Sequence, residues 1–334
     1  KEMIPENYFE REIWTPEFYT ISAIKDKYAH LNGTLGSNQR IHIRDGIQAL
    51  WKKMYHLTNC EESGKYITGV NGFGEQVCIE KSMVKPVIYN KVFLPLKRLS
   101  ADAYCIFPYK GKSHREKLSI DDIKKDYPKA YEYLSVNEVR IKSEVECNKG
   151  KYWHTYTREH NHESFENRKI VIPMTSKDTF AAYESENGFY MDNANVWFIT
   201  IDNGDDIEYK ATTMIINSTI FSVFAKGGAN PQSGGYYKFN KQFLTPVPFP
   251  NDRLSVNDEI IKELAELYDN MVKLTKQYND AAMQNKDYFM RILIQKWDDV
   301  DELCNKLYGL NGEDWDKIKK VGRRLNRVTG AELE

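Results

Sequence analysis

The chain has 334 residues, of which 41% are hydrophobic, 28% charged and 13% aromatic. This composition excludes intrinsic disorder and fibrous or low-complexity sequence, and a chain of this length can bury a stable core without disulfides. The 47 basic and 48 acidic residues give a formal charge of -1, so overall charge does not indicate a polyanionic partner.

The apolar runs and the cysteines indicate the solubility and the cellular compartment of the protein. Runs such as residues 197–200 are much shorter than the roughly 18 residues of a membrane span, and the sequence shows no signal peptide. The five cysteines lie far apart and never form a CxxC pair. We therefore expect a soluble, cytoplasmic protein with reduced thiols and no membrane partner.

Residues 1–35 are predicted to be a leading segment. Pro5 and Pro16 each precede residues that could begin a helix, because proline is tolerated in a first helical turn. The dipeptide Asn32-Gly33 is a turn signal near the end of the segment.

Residues 36–250 are predicted to be rich in β-strands. β-branched and aromatic runs at 104–107, 169–173 and 195–201 are separated by Gly, Asn, Asp and Pro, which is the pattern of strands joined by turns. A helix is predicted only in places, as at 212–224. The proline-rich residues 246–250 can continue neither a helix nor a central strand, so they mark a boundary.

Residues 251–334 are predicted to form a C-terminal helical hairpin. An apolar seam with alternating steps of four and three residues is formed by Ile260, Leu264, Leu267, Met271, Leu274 and Tyr278. A second apolar stripe is formed by Phe289, Leu293, Val300, Cys304 and Leu307. Gly309 follows it where a left-handed helix cap is expected. The predicted fold class is therefore α+β, with a β-rich domain and a C-terminal α-helical hairpin.

The sequence lacks the spacing of common catalytic motifs. It has no P-loop, GxSxG or HExxH pattern, and the glycine cluster at 69–74 fits a turn between strands. His154, His160, His162 and Glu163 could in principle hold a metal, but their spacing matches no zinc site, so a polar loop is the favoured interpretation. We predict no catalytic and no metal-binding residue in this chain.

Positive residues are clustered although the whole chain is nearly neutral. The clusters lie at 40–53, 97–117, 226–241 and 317–327, whereas acidic residues are concentrated at 298–302. Such segregation is expected of a protein with one phosphate-binding face, although each cluster taken alone also fits an ordinary solvated surface.

The order of several short motifs resembles a known family. Ile43-Arg44-Asp45-Gly46-Ile47-Gln48-Ala49 is similar to the GIQT-type opening of a DNA target-recognition domain, with Ala49 in place of the usual Thr. Similar motifs follow in order at 104–109, 127–134, 151–153, 165–173, 214–218 and 234–250. Over about residues 36–250 the series resembles the TaqI-like C-terminal specificity domain, the target-recognition domain of bacterial type II restriction-modification enzymes and N6-adenine DNA methyltransferases.

This resemblance implies sequence-specific recognition of double-stranded DNA. The methyltransferases of this family hold the flipped adenine with a [DNS]PP[YFW] tetrapeptide. The nearest match, Asn230-Pro231-Gln232-Ser233, lacks the second proline and the aromatic residue. We therefore predict that the catalytic domain is absent from this chain and that the chain alone is not catalytic.

No cofactor is expected here, and S-adenosylmethionine is expected in a methyltransferase domain of the same or a partner chain. The parent enzyme would be a site-specific DNA adenine-N6 methyltransferase, with or without an endonuclease.

Basic, amide and aromatic side chains of this region are predicted to contact DNA. Arg and Lys suit phosphates and guanine, whereas Asn and Gln suit adenine. The predicted contacts are Arg44, Gln48, Lys53, Lys110, Lys112, Arg115, Lys151, Arg158, Arg168, Tyr237, Lys238 and Lys241.

Three alternatives stay open. The chain could be a protein-interaction module that assembles a restriction-modification complex through its C-terminal helices. It could also be a type I-like specificity subunit, although such a subunit would show two similar halves and only one is visible. The third alternative is a nuclease whose metal-binding carboxylates the motifs do not reveal.

Overall fold

The computed structural model describes residues 19–49, 51–89, 94–97, 99–111, 114–144, 150–185, 188–193, 195–255, 257–322 and 327–329. One predicted contact residue, Lys112, lies outside these ranges. Within these ranges, no helix combines the length and the apolar character needed to cross a membrane.

The helices and strands alternate irregularly along the chain. The helices are α1 (Tyr19–Asn32), α2 (Lys52–Tyr55), α3 (Ile120–Asp126), α4 (Pro128–Val136), α5 (Glu138–Lys142), α6 (Asp206–Asn217), α7 (Thr219–Lys226), α8 (Lys241–Leu244), α9 (Glu259–Asp280), α10 (Met283–Tyr308) and α11 (Gly312–Gly322). The strands are β1 (Ile41–Asp45), β2 (His56–Ser63), β3 (Tyr66–Val70), β4 (Gln76–Glu80), β5 (Val84–Ile88), β6 (Ala103–Ile106), β7 (Tyr109–Lys110), β8 (Glu116–Lys117), β9 (Lys169–Pro173), β10 (Thr175–Ser176), β11 (Ala182–Glu184), β12 (Tyr190–Met191), β13 (Val196–Ile201), β14 (Asn230–Pro231) and β15 (Tyr237–Lys238).

A four-stranded antiparallel sheet separates two hydrophobic cores. Its strand order is β1-β13-β9-β11. Successive side chains of a strand point to opposite faces. Ile170 of β9 and Ile199 of β13 therefore belong to the first core, whereas Val171 and Phe198 belong to the second. This central sheet is a wall shared by both halves of the molecule.

The first core lies between the central sheet and a layer of helices. α6 packs against α9, and α7 packs against α10 and α11. α9 and α10 pack on each other, with Leu264 and Met271 of α9 and Leu293 and Val300 of α10 fully buried. α1 completes the layer by packing against α7 and α11. The first core thus takes residues from all three segments predicted from the sequence, whose boundaries stay predictions.

The second core is built mainly by the chain that runs between β1 and β9. It contains a six-stranded sheet of order β12-β5-β6-β2-β3-β4, in which β12 and β5 are parallel and the other pairs are antiparallel. α4 packs against β4, and Leu134 of α4 and Ile79 of β4 are fully buried. Two smaller sheets, β7-β8 and β10-β15-β14, flank the cores.

The predicted α+β class with its C-terminal helical hairpin is confirmed. α9 and α10 cover the two predicted apolar stripes, and Gly309 caps α10 in the left-handed region at a φ of 66°. The strands predicted at 169–173 and 195–201 correspond to β9 and β13. The prediction of one helix at 212–224 is wrong, because two helices, α6 and α7, are separated at Ser218. This residue ends α6, and its side chain accepts the N–H of Phe221 to start α7.

Candidate nucleic-acid interface

β1 lies at the edge of the central sheet and borders an open cleft. Ile41 and Ile43 of β1 are buried in the first core, so the alternate residues His42 and Arg44 lie on the opposite face. The cleft has a volume of about 510 Å³. Its polar and charged lining consists of Asn38, Gln39, His42, Arg44, Asp45, His160, Asn161, Lys241 and Thr245.

The carboxylate of Asp45 connects three side chains beside the cleft. Nδ2 of Asn161 donates to Oδ1 over 2.8 Å, and Nε2 of Gln48 donates to Oδ2 over 2.7 Å. Nε2 of His160 lies 2.8 Å from the same Oδ2. The Asp45 side chain is 23% exposed, so these bonds are partly shielded from water. The carboxylate therefore fixes the positions of two amide groups and one imidazole.

The two amides in turn hold two arginines. Nη1 of Arg44 donates to Oδ1 of Asn161 over 3.2 Å, and Nε of Arg44 donates to the hydroxyl of Thr200 over 3.1 Å. Nη1 of Arg158 donates to Oε1 of Gln48 over 3.4 Å. Arg44 and Arg158, which are 114 residues apart in the sequence, are thus attached to one carboxylate through one amide each.

The cleft is also lined by Lys241, an exposed residue at the start of α8. The residues that follow α8 are joined to the segment before β1 by backbone hydrogen bonds. The N–H of Leu35 donates to the carbonyl of Val247 over 2.8 Å, and the N–H of Gly36 donates to that of Thr245 over 2.9 Å. The cleft lining therefore contains two positive side chains, Arg44 from β1 and Lys241 from α8, among the described residues.

Several other predicted contacts are exposed cations with a partner. Lys110 pairs with Asp122 at 3.4 Å, and Arg115 pairs with Glu163 at 2.8 Å. Partial burial raises the pKa of Glu163, but hydrogen bonds from its own backbone N–H and from Arg115 bring the pKa below the ordinary value. Exposed pairs of this kind contribute little to stability, so contacts of Lys110 and Arg115 with DNA stay predictions.

Lys53 and Lys151 lie over aromatic rings. The ammonium of Lys53 is 5.6 Å from the centre of the Phe73 ring, and that of Lys151 is 5.7 Å from the centre of the Tyr152 ring. Both lysines are exposed, and neither lines the cleft.

Arg168, Tyr237 and Lys238 also lie outside the cleft lining. Arg168 is exposed at the residue before β9, and Lys238 is half-buried in β15. Tyr237 is 6% exposed, with its ring stacked on Phe239 and with the ammonium of Lys226 5.8 Å from the ring centre. Packing within the first core therefore encloses the Tyr237 ring.

The histidines named above do not gather around one point. His154 is buried and bonds to the carbonyl of Leu118, while Nδ1 of His162 lies 2.9 Å from the carbonyl oxygen of His114. Burial lowers the pKa of both imidazoles. His160 instead pairs with Asp45. Among the described residues, no three His, Cys, Asp or Glu side chains are placed to hold a metal ion.

Sequence reasoning missed the connecting role of Asp45 and Asn161. Asp45 lies within the motif at 43–49, but in the sequence it counted only as one acidic residue within the basic cluster at 40–53. Asn161 adopts the left-handed region at a φ of 63°, which asparagine tolerates better than most residues. No sequence signal connected the two residues, because 116 positions separate them.

Comparison with known proteins finds a family similarity over part of this chain. Residues 119–249 match the family model of the TaqI-like C-terminal specificity domain. The resemblance predicted from the sequence is therefore confirmed over these residues. The TaqI-like segment supplies His160, Asn161 and Lys241 to the cleft, whereas Arg44 and Asp45 precede the segment.

A curated relative extends the similarity beyond the TaqI-like segment. The chain is 22% identical over 297 residues to the type II restriction enzyme and methyltransferase RM.Eco57I of Escherichia coli. The alignment covers 82% of this chain and 29% of the relative. The chain thus corresponds to less than a third of that protein's length.

Proposed function

We propose that this chain recognises a specific site in double-stranded DNA, as the specificity region of a restriction-modification adenine-N6 methyltransferase. Two findings support this: the TaqI-like segment and the similarity to a restriction enzyme and methyltransferase. The observation that carries the proposal is the cleft, whose lining combines the cations of Arg44 and Lys241 with the amide side chains of Asn38, Gln39 and Asn161. Cations hold phosphates and fix register, and side chains that reach base edges supply specificity.

We further propose that methyl transfer takes place in a separate methyltransferase domain of the same or a partner chain, where S-adenosylmethionine would bind. The stretch Asn230-Pro231-Gln232-Ser233 is exposed and begins with β14. It has no aromatic side chain with which to stack on a flipped adenine. In this proposal, the present chain binds the DNA site and the methyltransferase domain modifies the base.

The helical hairpin does not favour the alternative of an assembly module. Leu264 and Met271 of α9 and Leu293 and Val300 of α10 are buried between the helices and the first core. The seam predicted from the sequence therefore packs within the chain, as expected for two consecutive amphipathic helices.

The test is the salt dependence of duplex binding by the full chain. We expect binding whose logarithm falls linearly with the logarithm of salt concentration, because phosphate contacts release counterions. Replacing Lys238 and Lys241 together with alanine should weaken binding to all duplexes and reduce the slope by about one unit per lost phosphate contact.

A matched control is available on α9. Lys273 and Lys276 are exposed and have the same spacing as Lys238 and Lys241. The Lys273→Ala, Lys276→Ala variant loses the same charge and should keep the wild-type slope. Absence of salt-dependent duplex binding by the wild type would overturn the proposed function. Equal slopes for the wild type and both variants would remove Lys238 and Lys241 from the interface.

A further inference from the structure

We propose that Asp45 is a positioning residue that makes the surface around it, at the border of the cleft, recognise a guanine edge through Arg44 and Arg158, instead of an adenine edge through Gln48 and Asn161. This inference rests on the proposed function and adds the chemistry of the recognised base. It departs from the residue types alone, because Asn and Gln are the usual partners of adenine.

The two amides are occupied at both ends. Nδ2 of Asn161 donates to the Asp45 carboxylate, and Oδ1 of Asn161 accepts from Arg44. Gln48 repeats the arrangement, since its Nε2 donates to Asp45 and its Oε1 accepts from Arg158. An adenine needs one free donor and one free acceptor from the same amide. Each amide has two N–H groups. Those of Asn161 serve the carboxylate and the backbone carbonyl of Asp45. The second N–H of Gln48 faces Nε2 of His160 at 3.2 Å, so neither amide has a free donor beside its oxygen.

The carboxylate also decides which way the amides face. An ionised carboxylate only accepts hydrogen bonds, so the NH₂ end of each amide must turn toward Asp45. The oxygen end of each amide must then turn toward its arginine, which only donates. The left-handed backbone of Asn161 and its second bond, from Nδ2 to the backbone carbonyl of Asp45 over 3.2 Å, hold this orientation.

The groups left for a ligand are guanidinium donors. Arg44 uses Nε and one N–H of Nη1 on Thr200 and Asn161, and Arg158 uses one N–H of Nη1 on Gln48. The remaining N–H groups of both arginines are donors in a planar fork. Guanine presents two acceptors, O6 and N7, in the major groove, whereas adenine presents one acceptor and one donor. The arrangement therefore fits guanine.

The experiment selects duplexes from a randomised pool with the full chain and compares the wild type with Asp45→Asn. We expect the wild type to enrich sites with a fixed guanine. Asp45→Asn keeps the size of the side chain but turns one acceptor into a donor that opposes the amide NH₂ groups. This variant should lose the guanine preference by about fivefold or more.

The direction of the effect separates positioning from bulk charge. Asp45→Asn makes the chain more positive, so charge alone would strengthen binding to every duplex. We expect the opposite for the selected site, with an unchanged salt slope because Asp45 touches no phosphate. Arg44→Lys keeps the charge and loses the planar fork, and it should reproduce the loss of guanine preference.

The control variant is Asp202→Asn. Asp202 pairs with His42 of β1 at 2.8 Å, yet it has no bond to Asp45, Gln48 or Asn161 among the contacts of the described residues. This variant should keep the guanine preference. Thermal unfolding of each variant shows whether the protein is folded. If Asp45→Asn does not fold, the guanine preference of Arg44→Lys decides the test.

Three outcomes would overturn the inference. One is a selected site without a fixed guanine, and another is an unchanged preference in both Asp45→Asn and Arg44→Lys. The third is an Arg44→Ala variant that weakens all duplexes equally and lowers the salt slope by about one unit, which would make Arg44 a phosphate contact. Salt-dependent duplex binding without a guanine preference would contradict this inference alone, whereas absence of any duplex binding would contradict the proposed function as well.

Discussion

The carbonyl oxygen of Met191 lies 2.1 Å from the point that a β-carbon on Gly46 would occupy. The obstacle is backbone, and it is held in place, because the N–H of Ile47 donates to that same carbonyl oxygen over 2.6 Å. Residue 46 is therefore restricted to glycine by space. This close approach accompanies the burial of Ile47, which lies between Gly46 and Gln48, in the second core.

We predict that Gly46→Ala lowers the free energy of unfolding by roughly 2 to 3 kcal/mol, because the added methyl must displace backbone. Urea unfolding followed by circular dichroism measures the change. Gly188→Ala is the control, since its β-carbon would meet nothing within 4 Å. Equal stability of the two variants would show that the chain relaxes at Gly46 without cost.

A second prediction concerns the fully buried carboxylate of Asp192. Nζ of Lys52 lies 2.6 Å from its Oδ1, and Nε2 of His56 lies 3.3 Å from its Oδ2. Burial raises the pKa of Asp192, but the adjacent imidazole of His56 and the charge of Lys52 bring the pKa below its ordinary value. Its stabilising contribution is therefore complete above the unfolded-state pKa of roughly 3.9 and is lost as pH falls through the folded-state pKa.

Replacing Asp192 with Asn should lower the free energy of unfolding at pH 7 by about 3 kcal/mol, because Lys52 loses its buried partner. The difference from the wild type should shrink at pH 3, where the wild type has begun to lose the same interaction. Urea titrations at the two pH values measure this. The control is Asp287→Asn at an exposed position of α10, which should leave the free energy of unfolding unchanged at both pH values.

The third prediction concerns Lys169, which is fully buried at the start of β9. Its ammonium donates to the carbonyls of Phe165 and Phe189 over 2.5 and 3.1 Å. Burial lowers its pKa to about 8, against the smaller opposing effects of Glu184 and Glu166. Since the folded-state pKa is below the ordinary 10.5, the unfolded chain holds more protons between these values, and stability contributed by this group rises with pH.

Between pH 8 and pH 10 we expect the wild type to gain about 2 kcal/mol relative to Lys169→Met, which has no titrating group at this position. Comparison with the variant cancels the tyrosines that titrate in the same range. The exposed Lys276→Met should keep the wild-type pH dependence. Parallel curves for the wild type and Lys169→Met would contradict the prediction.

The fourth prediction concerns Arg327, whose Nη2 lies 3.0 Å from Oδ2 of the buried Asp301. The other oxygen of Asp301 accepts the backbone N–H of Thr219 over 2.8 Å. Arg327→Ala leaves the carboxylate buried without its cation, so we expect a loss of about 3 kcal/mol in unfolding free energy. The slope of duplex binding against salt should not change.

Lys320→Ala, at an exposed position of α11, should leave both the stability and the slope unchanged. If Arg327→Ala showed a weaker salt dependence without a loss of stability, Arg327 would contact DNA instead of stabilising the buried Asp301.

The helices at the end of the chain were predictable because their signals are local. Alternating steps of four and three residues indicate one face of a helix, and α9 and α10 follow those steps. Gly309 has the residue type that a left-handed cap requires. The interruption at Ser218 was missed because hydrophobic spacing continues through it, and only the capping bond to Phe221 separates α6 from α7.

The basic cluster at 317–327 shows how a local count can mislead. The stretch itself has no acidic residue, yet Lys317 pairs with Glu313 and Lys319 pairs with Asp316, each one helical turn away. Arg327 pairs with Asp301 through a contact between distant parts of the chain. Counting charge in a sequence window does not show these partners.

The candidate site could be predicted only in part, because its connections are long-range. The sequence identified Arg44, Gln48, Arg158 and Lys241 by residue type and motif order. Their arrangement depends on pairing β1 with β13, which places Arg44 opposite Phe198 across 154 positions. No periodicity within β1 contains that information.

The shared central sheet also determines how relatives of this protein can be recombined. β1 and β9 are separated by one strand, and the register of β13 places Ile43 and Ile170 opposite the same residue, Ile199. The intervening residues 46–168 therefore leave and re-enter the sheet within about 15 Å. A chimera joined after Asp45 and before Lys169 could carry another protein's segment on the same helical layer, provided that Val171 and Phe198 fit the new core.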